Sequence, residues 1–216
     1  MVQAVVVIGG GELSARAVDA VRPNAIVIAA DSGLDYAVAA ALRPAVLVGD
    51  LDSISASGRM WAYARGVEID EHPMDKDATD TEIAIGRALA VPGIRQLLVI
   101  GGVDQAGERR LDHQLATILA LGHASLAELS SVRAVLGDTS LSMLHPGRHS
   151  VLDAEPGQLF SLLALHGPCS GVTVTGARWP LDDASFGGTE ARGVSNEAGD
   201  RTEVQVASGV LTVVIP

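Results

Sequence analysis

The chain has 216 residues, of which 48% are hydrophobic and 19% charged, and its formal net charge is -11. Such a composition excludes a disordered chain, and the length allows one large domain or two small ones that bury roughly 70% of the unfolded surface. The acidic balance argues against a general binder of nucleic acid or anionic membrane, and no apolar run approaches the ~20 residues of a membrane span, so neither partner is expected.

In chain order, "MVQAVVVIGGGE" has no basic stretch ahead of a short apolar run, and reads as a first strand rather than a secretory signal. The pattern then alternates: "ELSARAVDAV" as helix, "AIVIAAD" as strand, "GLDYAVAAAL" as helix, "AVLVGD" as strand. "SGRMWAYARG" (helix), a short "VEIDEH", "TEIAIGRALAV" (helix), "QLLVIGG" (strand), "HQLATILALGHAS" (helix) and a strand near "SVRAVLG" follow. Continuous Val/Ile/Leu runs separated by helices predict a mainly parallel sheet covered on both faces, a Rossmann-like three-layer α/β domain. Near "LHPGRHS" the pattern changes to short strands with Gly, Asp and Pro between them: "QLFSLLAL", "GVTVTGA", "ARGVSN", "TEVQVAS" and "GVLTVVIP". A small all-β sandwich domain is expected there, giving domains of residues 1–145 and 146–216. The single cysteine, Cys169 in "GPCSGV", forms no intrachain disulfide and reads as a small apolar strand residue, which fits a reducing cytoplasm.

Ligands of open α/β sheets bind beyond the carboxyl ends of the strands, and the suggestive residues fall there. Gly9, Gly10 and Gly11 end the first strand, either as a plain tight turn or as a backbone cradle for phosphate. The dinucleotide fingerprint is not met, because Ser14 stands at its last small position. "AADSG" ends the second strand and "GDLDS" the third. In an extended segment Asp50 and Asp52 would point the same way. At ~5 Å their repulsion costs about 1 kcal/mol in water and about 3 kcal/mol at an effective dielectric of 20. The stretch is then either a solvated turn or a cation site. "MDKDATDTE" adds Asp75, Asp77 and Asp80, and holds Lys76, the sole lysine of the chain. Thr79 and Glu82 fit a capping box, so they are assigned first to helix architecture. Oxygen-rich clusters of this kind suit Mg²⁺, which takes one or two carboxylates and otherwise substrate phosphates. "ERRLDHQLA" brings Arg109, Arg110, Asp112 and His113 to a helix start; Asp112 reads as its N-cap, and an arginine there suits a phosphate.

The ordered set Asp31-Ser32-Gly33, Gly49-Asp50-Leu51-Asp52-Ser53, Asp77-Ala78-Thr79-Asp80 and Arg110-Leu111-Asp112-His113 resembles the thiamine pyrophosphokinase (thiamine diphosphokinase) family. "GVTVTGARWPL" and "GVSNE" resemble that family's thiamine-binding domain, so the likeness covers nearly the whole chain. The resemblance implies transfer of a diphosphate group from ATP to the hydroxyethyl oxygen of thiamine, with AMP released. It implies Asp50, Asp52, Asp77 and Asp80 around Mg²⁺ and the ATP phosphates. Asp31, Ser32, Gly33, Thr79, Arg110, Asp112 and His113 would line the nucleotide and transfer site. Ser195 and Asn196 would lie at the thiamine site, and a homodimer would share each site between subunits. Asp77 and Asp80 are the carboxylates weighed as general base, although a metal-bound carboxylate is a poor one.

The chain departs from the family in the glycine-rich "IGGGE", in Ile83 where some members carry lysine, and in Ala198 where a bulky aromatic often follows "SNE". Trp179 is the aromatic available instead, unless it is a core residue. The rival readings are a diphosphokinase for another alcohol such as a pterin, a Mg²⁺- or Mn²⁺-dependent phosphohydrolase, and a non-catalytic nucleotide or thiamine diphosphate sensor.

Overall fold

The Val, Ile and Leu runs of the N-terminal part form strands buried along nearly their whole length, as strands covered on both faces are. The computed structural model describes residues 1–102 and 110–216. Two compact units divide the chain: residues 1–117 with 134–138, and residues 118–133 with 139–216. In the first, β1 (Val2–Val7), α1 (Ala15–Asp19), β2 (Ile26–Ala30), α2 (Gly33–Ala39), β3 (Pro44–Gly49), α3 (Ala56–Arg65), β4 (Glu68–Glu71), α4 (Asp80–Leu89) and β5 (Ile94–Gly101) alternate along the chain. The strands lie in the order β5-β1-β2-β3-β4, all parallel. All five carboxyl ends therefore share one edge. The chain steps outward from β1 to β4 and returns to the other side of β1 for β5, which puts a topological switch point between β1 and β5.

The expected helices are present, with changes that have local causes. Ser14 accepts from the Ala17 N–H and donates to the Gly137 carbonyl at 2.6 Å, so α1 starts at Ala15 and not at Glu12. The residue that broke the dinucleotide fingerprint is thus an N-cap. Two apolar clusters fill the unit: Val5, Val7, Val27, Leu98 and Ile100 in one, and Leu34, Leu47, Leu51, Ile54 and Ala62 in the other. Gly33 begins α2 so close to β1 that a Cβ there would lie 2.1 Å from the Val7 carbonyl oxygen. Only glycine lets that helix start where it does.

After α5 (Leu111–Ala120) and β6 (Ser131–Leu136), the second unit is built of antiparallel strands. These are β7 (Thr139–Leu144), β8 (His149–Val151), β9 (Leu159–Leu163), β10 (Cys169–Ala177), β11 (Leu181–Phe186), β12 (Asn196–Gln205) and β13 (Leu211–Ile215). β13 pairs with β7 and β9, while β12 pairs with β8 and β10, and β10 with β11. The start of β12 also pairs with β9. Phe160, Leu162, Leu211 and Val213 from the first group share one core with Val172, Val174, Phe186 and Val204 from the second. Cys169 is buried in that core, and burial raises its thiol pKa.

Three details differ from the sequence reading. "TSLSML" is a strand, because Leu141, Met143 and Leu144 are buried while its serines are half-buried. "LDDASF" is also a strand, an edge one whose acids face solvent and whose Phe186 alone is fully buried. "ARGVSN" is not a strand: Ser195 sits in the left-handed region at φ 64, and β12 begins only at Asn196.

Candidate active site

The rim begins with two backbone turns that bring carboxylates together. Asp31, directly after β2, has φ 46, and its N–H donates to the Val48 carbonyl at 2.9 Å. Gly49, at φ 141, leaves room for the Asp31 carboxylate, which a Cβ at Gly49 would meet at 1.9 Å. Leu51 has φ 64, so "GDLDS" is a tight turn and not the extended segment that alternation implied. Its side chain is buried in the core, its N–H donates to Asp31 Oδ1 at 3.3 Å, and its carbonyl accepts from Arg59. Leu51 thus anchors the turn while Asp50 and Asp52 flank it. The two acids still meet: the Asp52 N–H donates to Asp50 Oδ1 at 3.2 Å, and hydrogen bonding to Asp50 and its charge raise the Asp52 carboxyl pKa.

The turn after β4 completes the cluster. Thr79 caps α4, accepting from the Glu82 N–H at 3.2 Å, while Glu82 Oε2 accepts from the Thr79 N–H at 2.9 Å. The capping box therefore occupies Thr79 and leaves Asp80 as the first helical residue. The Asp80 carboxyl lies within hydrogen-bonding reach of Asp31. Burial, then the Asp80 charge and hydrogen bond, push the Asp31 carboxyl up to about 7. Lys76 Nζ lies 2.9 Å from Asp80 Oδ1. Burial pulls the Lys76 ammonium down, but Asp80, Asp50 and Asp31 outweigh it and its pKa is raised. Asp77 is exposed and makes no ion pair with the cluster among the described residues.

Among the described residues no three His, Cys, Asp or Glu side chains form a ready-made metal cage. The donors nevertheless fit Mg²⁺: all are carboxylate oxygens, they repel one another, and this ion needs only one or two of them beside substrate phosphates. Ser32 lies at the same rim, its N–H donating to Ser53 Oγ at 3.3 Å. Gly33 has the packing role given above. At the switch point, Gly10 and Gly11 pass against Gly102 so closely that a Cβ on Gly10 would lie 2.7 Å from the Gly102 carbonyl oxygen.

Arg110 forms a separate knot at the start of α5. Its Nε and Nη2 reach the Asp112 carboxylate at 3.1 and 2.9 Å, and it also contacts His113 Nε2. That fork lowers the exposed Asp112 carboxyl to about 2. Asp112 lies inside the first helical turn and is not the N-cap expected from sequence, because the helix already begins at Leu111. Arg109 lies outside the described residues.

The expected thiamine residues belong to the second unit. Asn196 is buried, and its amide is committed to Trp179: Oδ1 accepts from the Trp179 N–H at 3.1 Å, and Nδ2 donates to its carbonyl at 2.8 Å. Asn196 therefore positions Trp179, which is 51% exposed and is no core residue. The Arg178 guanidinium lies 4.7 Å from the ring centroid. Ser195 is exposed at its left-handed turn, held by its N–H to Ser161 Oγ at 3.1 Å. Ala198 is buried in the core, so an aromatic side chain has no room there.

Sequence reasoning missed Asp35, Tyr36 and Trp61. They line a cavity of about 620 Å³ between α2 and α3 that opens beside Ser32 and Ser53, a size usual for small-molecule sites. Asp35 accepts from Ser55 Oγ and N–H at 2.6 and 2.8 Å, which fixes the start of α3. An acid in the helix turn right after "DSG" was the available signal.

The raised Asp31 carboxyl has a pH signature. Its folded pKa of about 7 lies above the ordinary carboxyl value of 3.8, so ionising it disfavours the folded state. Its cost is absent below pH ~4 and complete above pH ~7. In chelator, Asp31→Asn should melt a few degrees above the unsubstituted protein at pH 8 and level with it near pH 4. Thermal melts across that range test this; a variant less stable at pH 8 would show that the carboxylate is stabilising instead.

Two family models match the chain. The family model "Thiamin pyrophosphokinase, catalytic domain" matches residues 19–132, more than half of the chain. The model "Thiamin pyrophosphokinase, vitamin B1 binding domain" matches residues 148–211. Thiamine pyrophosphokinase 1 of Oryza sativa subsp. japonica is 30% identical over 155 residues, 67% of this chain and 55% of that protein. Thiamine pyrophosphokinase of Bacillus subtilis is 25% identical over 189 residues, 87% of this chain and 85% of that one. The chain thus spans about half the length of the rice relative and most of the bacterial one. The crystal structure of the Bacillus subtilis protein matches with a TM-score of 0.80 at 20% identity over 100% of this chain and 98% of that chain. Thiamin pyrophosphokinase from Candida albicans matches at 0.75 and 12% identity, over 99% and 89%. At those identities the structures establish a shared fold, and the family models establish the kinship: this chain belongs to the thiamine pyrophosphokinase family.

Proposed function

We propose that this protein transfers the terminal diphosphate of ATP to the hydroxyethyl oxygen of thiamine, releasing thiamine diphosphate and AMP. The observation that carries this reading is the convergence of Asp31, Asp50, Asp52 and Asp80 at one rim, in a chain of this family. The thiamine oxygen attacks the β-phosphorus of ATP, the bond to the α-phosphate oxygen breaks, and AMP departs. Asp50, Asp52 and Asp80, with Asp77 beside them, would hold Mg²⁺. That ion, when bound, neutralises and orients the polyphosphate. The chain's own residues supply placement, which is most of what phosphoryl transfer asks of a protein. Leu51 and the α4 cap hold the carboxylates in register. Arg110, held in place by Asp112 and His113, would offer its guanidinium to a phosphate at the transfer site. Trp179, fixed by Asn196, offers a flat aromatic face suited to a cationic heteroaromatic ligand.

The first unit then serves as an ATP and Mg²⁺ domain of Rossmann-like three-layer kind, and the second as a thiamine-binding β-sandwich. Thiamine and ATP are the partners in this reading. No helix among the described residues is long and apolar enough to cross a membrane, and a cytoplasmic location suits a chain with a single, buried cysteine. A homodimer with sites shared between subunits follows from the family likeness. It is supported by Leu111, Leu115 and Leu119, an apolar row on α5 that is 61%, 50% and 56% exposed and that a second copy would cover.

With ATP, Mg²⁺ and thiamine, the resolved products should be thiamine diphosphate and AMP in equal amounts, and chelator should stop turnover. ADP or thiamine monophosphate as main product would sink the diphosphoryl-transfer reading; phosphate release without thiamine would favour a hydrolase. The shared site has its own test. Asp52→Asn and Trp179→Ala, each inactive, should recover about a quarter of full activity after subunit exchange, by counting sites under two-fold symmetry. If mixed subunits stay inactive after exchange is verified, each site lies within one chain.

A further inference from the structure

The only lysine among 216 residues has its ammonium in the most acidic part of the molecule. Its side chain is 13% exposed, well below what a free surface lysine shows, and Nζ lies 2.9 Å from Asp80 Oδ1. Asp80 in turn raises the Asp31 carboxyl pKa, and the Lys76 charge lowers that of Asp52. Lys76 lies four residues before Asp80, the first residue of α4. An i, i+4 pair on a helix surface is ordinary; here Lys76 lies outside the helix and its partner is a rim carboxylate.

We propose that Lys76 is an exchangeable counter-cation of this rim: it neutralises the carboxylates of the empty site, yields Asp80 to a divalent ion, and then turns to the polyphosphate. This rests on the reading of the rim as the metal and phosphate end of the ATP site. A lysine suits the exchange. It is a point charge on a flexible four-carbon stem, able to face a carboxylate or a phosphate without fixed bidentate geometry. While paired with Asp80 it competes with the metal, because both want the same oxygen. Once displaced, it remains near the polyphosphate and adds positive charge there. The two roles have opposite signs on removal, which separates this lysine from one that only supports the loop.

The experiment is a Mn²⁺ titration of the nucleotide-free protein, read by Mn²⁺ paramagnetic resonance, alongside ATP saturation kinetics. Lys76→Met should bind Mn²⁺ roughly tenfold more tightly, the scale of one unit charge acting on a divalent ion across a few ångströms of water. Its KM for ATP should nevertheless rise, and Lys76→Arg should return both values toward those of the unsubstituted protein. Lys76→Gln repeats the test, should the methionine variant fold poorly. Unchanged or weaker Mn²⁺ binding in both neutral variants, with Asp52→Asn still weakening it, would overturn the role of Lys76 and leave the rim reading intact. Tighter Mn²⁺ binding without a rise in KM would overturn the exchange onto phosphate. No Mn²⁺ binding to any form, with or without ATP, would overturn the rim reading and this proposal with it.

Discussion

Carboxylates crowded at the carboxyl edge of a parallel sheet are the constraint around which the first unit is built. Asp80 and Asp50 raise the cost of ionising Asp31 and Asp52, and burial adds to it at Asp31. Left to itself such a cluster would spread apart. It is held by Lys76 at Asp80 and by backbone features: the glycine at 49 that admits the Asp31 side chain, the left-handed Leu51 whose side chain is locked in the core, and the cap that starts α4 at Asp80. The parallel sheet makes this possible, because it delivers the ends of β2, β3 and β4 to one edge from three distant stretches of sequence.

The α/β part was legible because buried parallel strands write themselves as continuous apolar runs. The candidate rim was legible for a related reason, since polar residues that interrupt those runs at the strand ends stand out. The geometry of "GDLDS" was not. Alternation placed Asp50 and Asp52 on one face of an extended segment, whereas the left-handed Leu51 makes a turn that brings them together by another route. A positive φ at leucine leaves no trace in composition. Asp112 was misplaced by two residues as a cap, because helix starts are set by backbone geometry that a run of polar residues does not fix.

The second unit shows the opposite balance. Its edge strand β11 carries Asp182 and Asp183 where a core strand would carry apolar residues, so the pattern hid it. "GVSNE" drew attention as a ligand motif, and the structure gives its asparagine a definite task. Asn196 mimics a neighbouring strand for Trp179, binding both its N–H and its carbonyl, and so presents an aromatic ring that a small β unit would otherwise bury. The same residue type would read as a ligand contact or as a scaffold from sequence alone; the burial and the paired hydrogen bonds decide.

The central claim is that the rim carboxylates are kept together for a bound cation and not for the fold. Asp52→Asn bears on it most directly, because it keeps the side-chain shape at an exposed position and removes one charge from the crowd. Turnover and melting temperature should be measured on the same preparation. The account predicts that diphosphoryl transfer falls by orders of magnitude while the melting temperature holds or rises, since a repulsion has been relieved. A melting temperature that falls together with activity, or activity that survives the substitution, would contradict it.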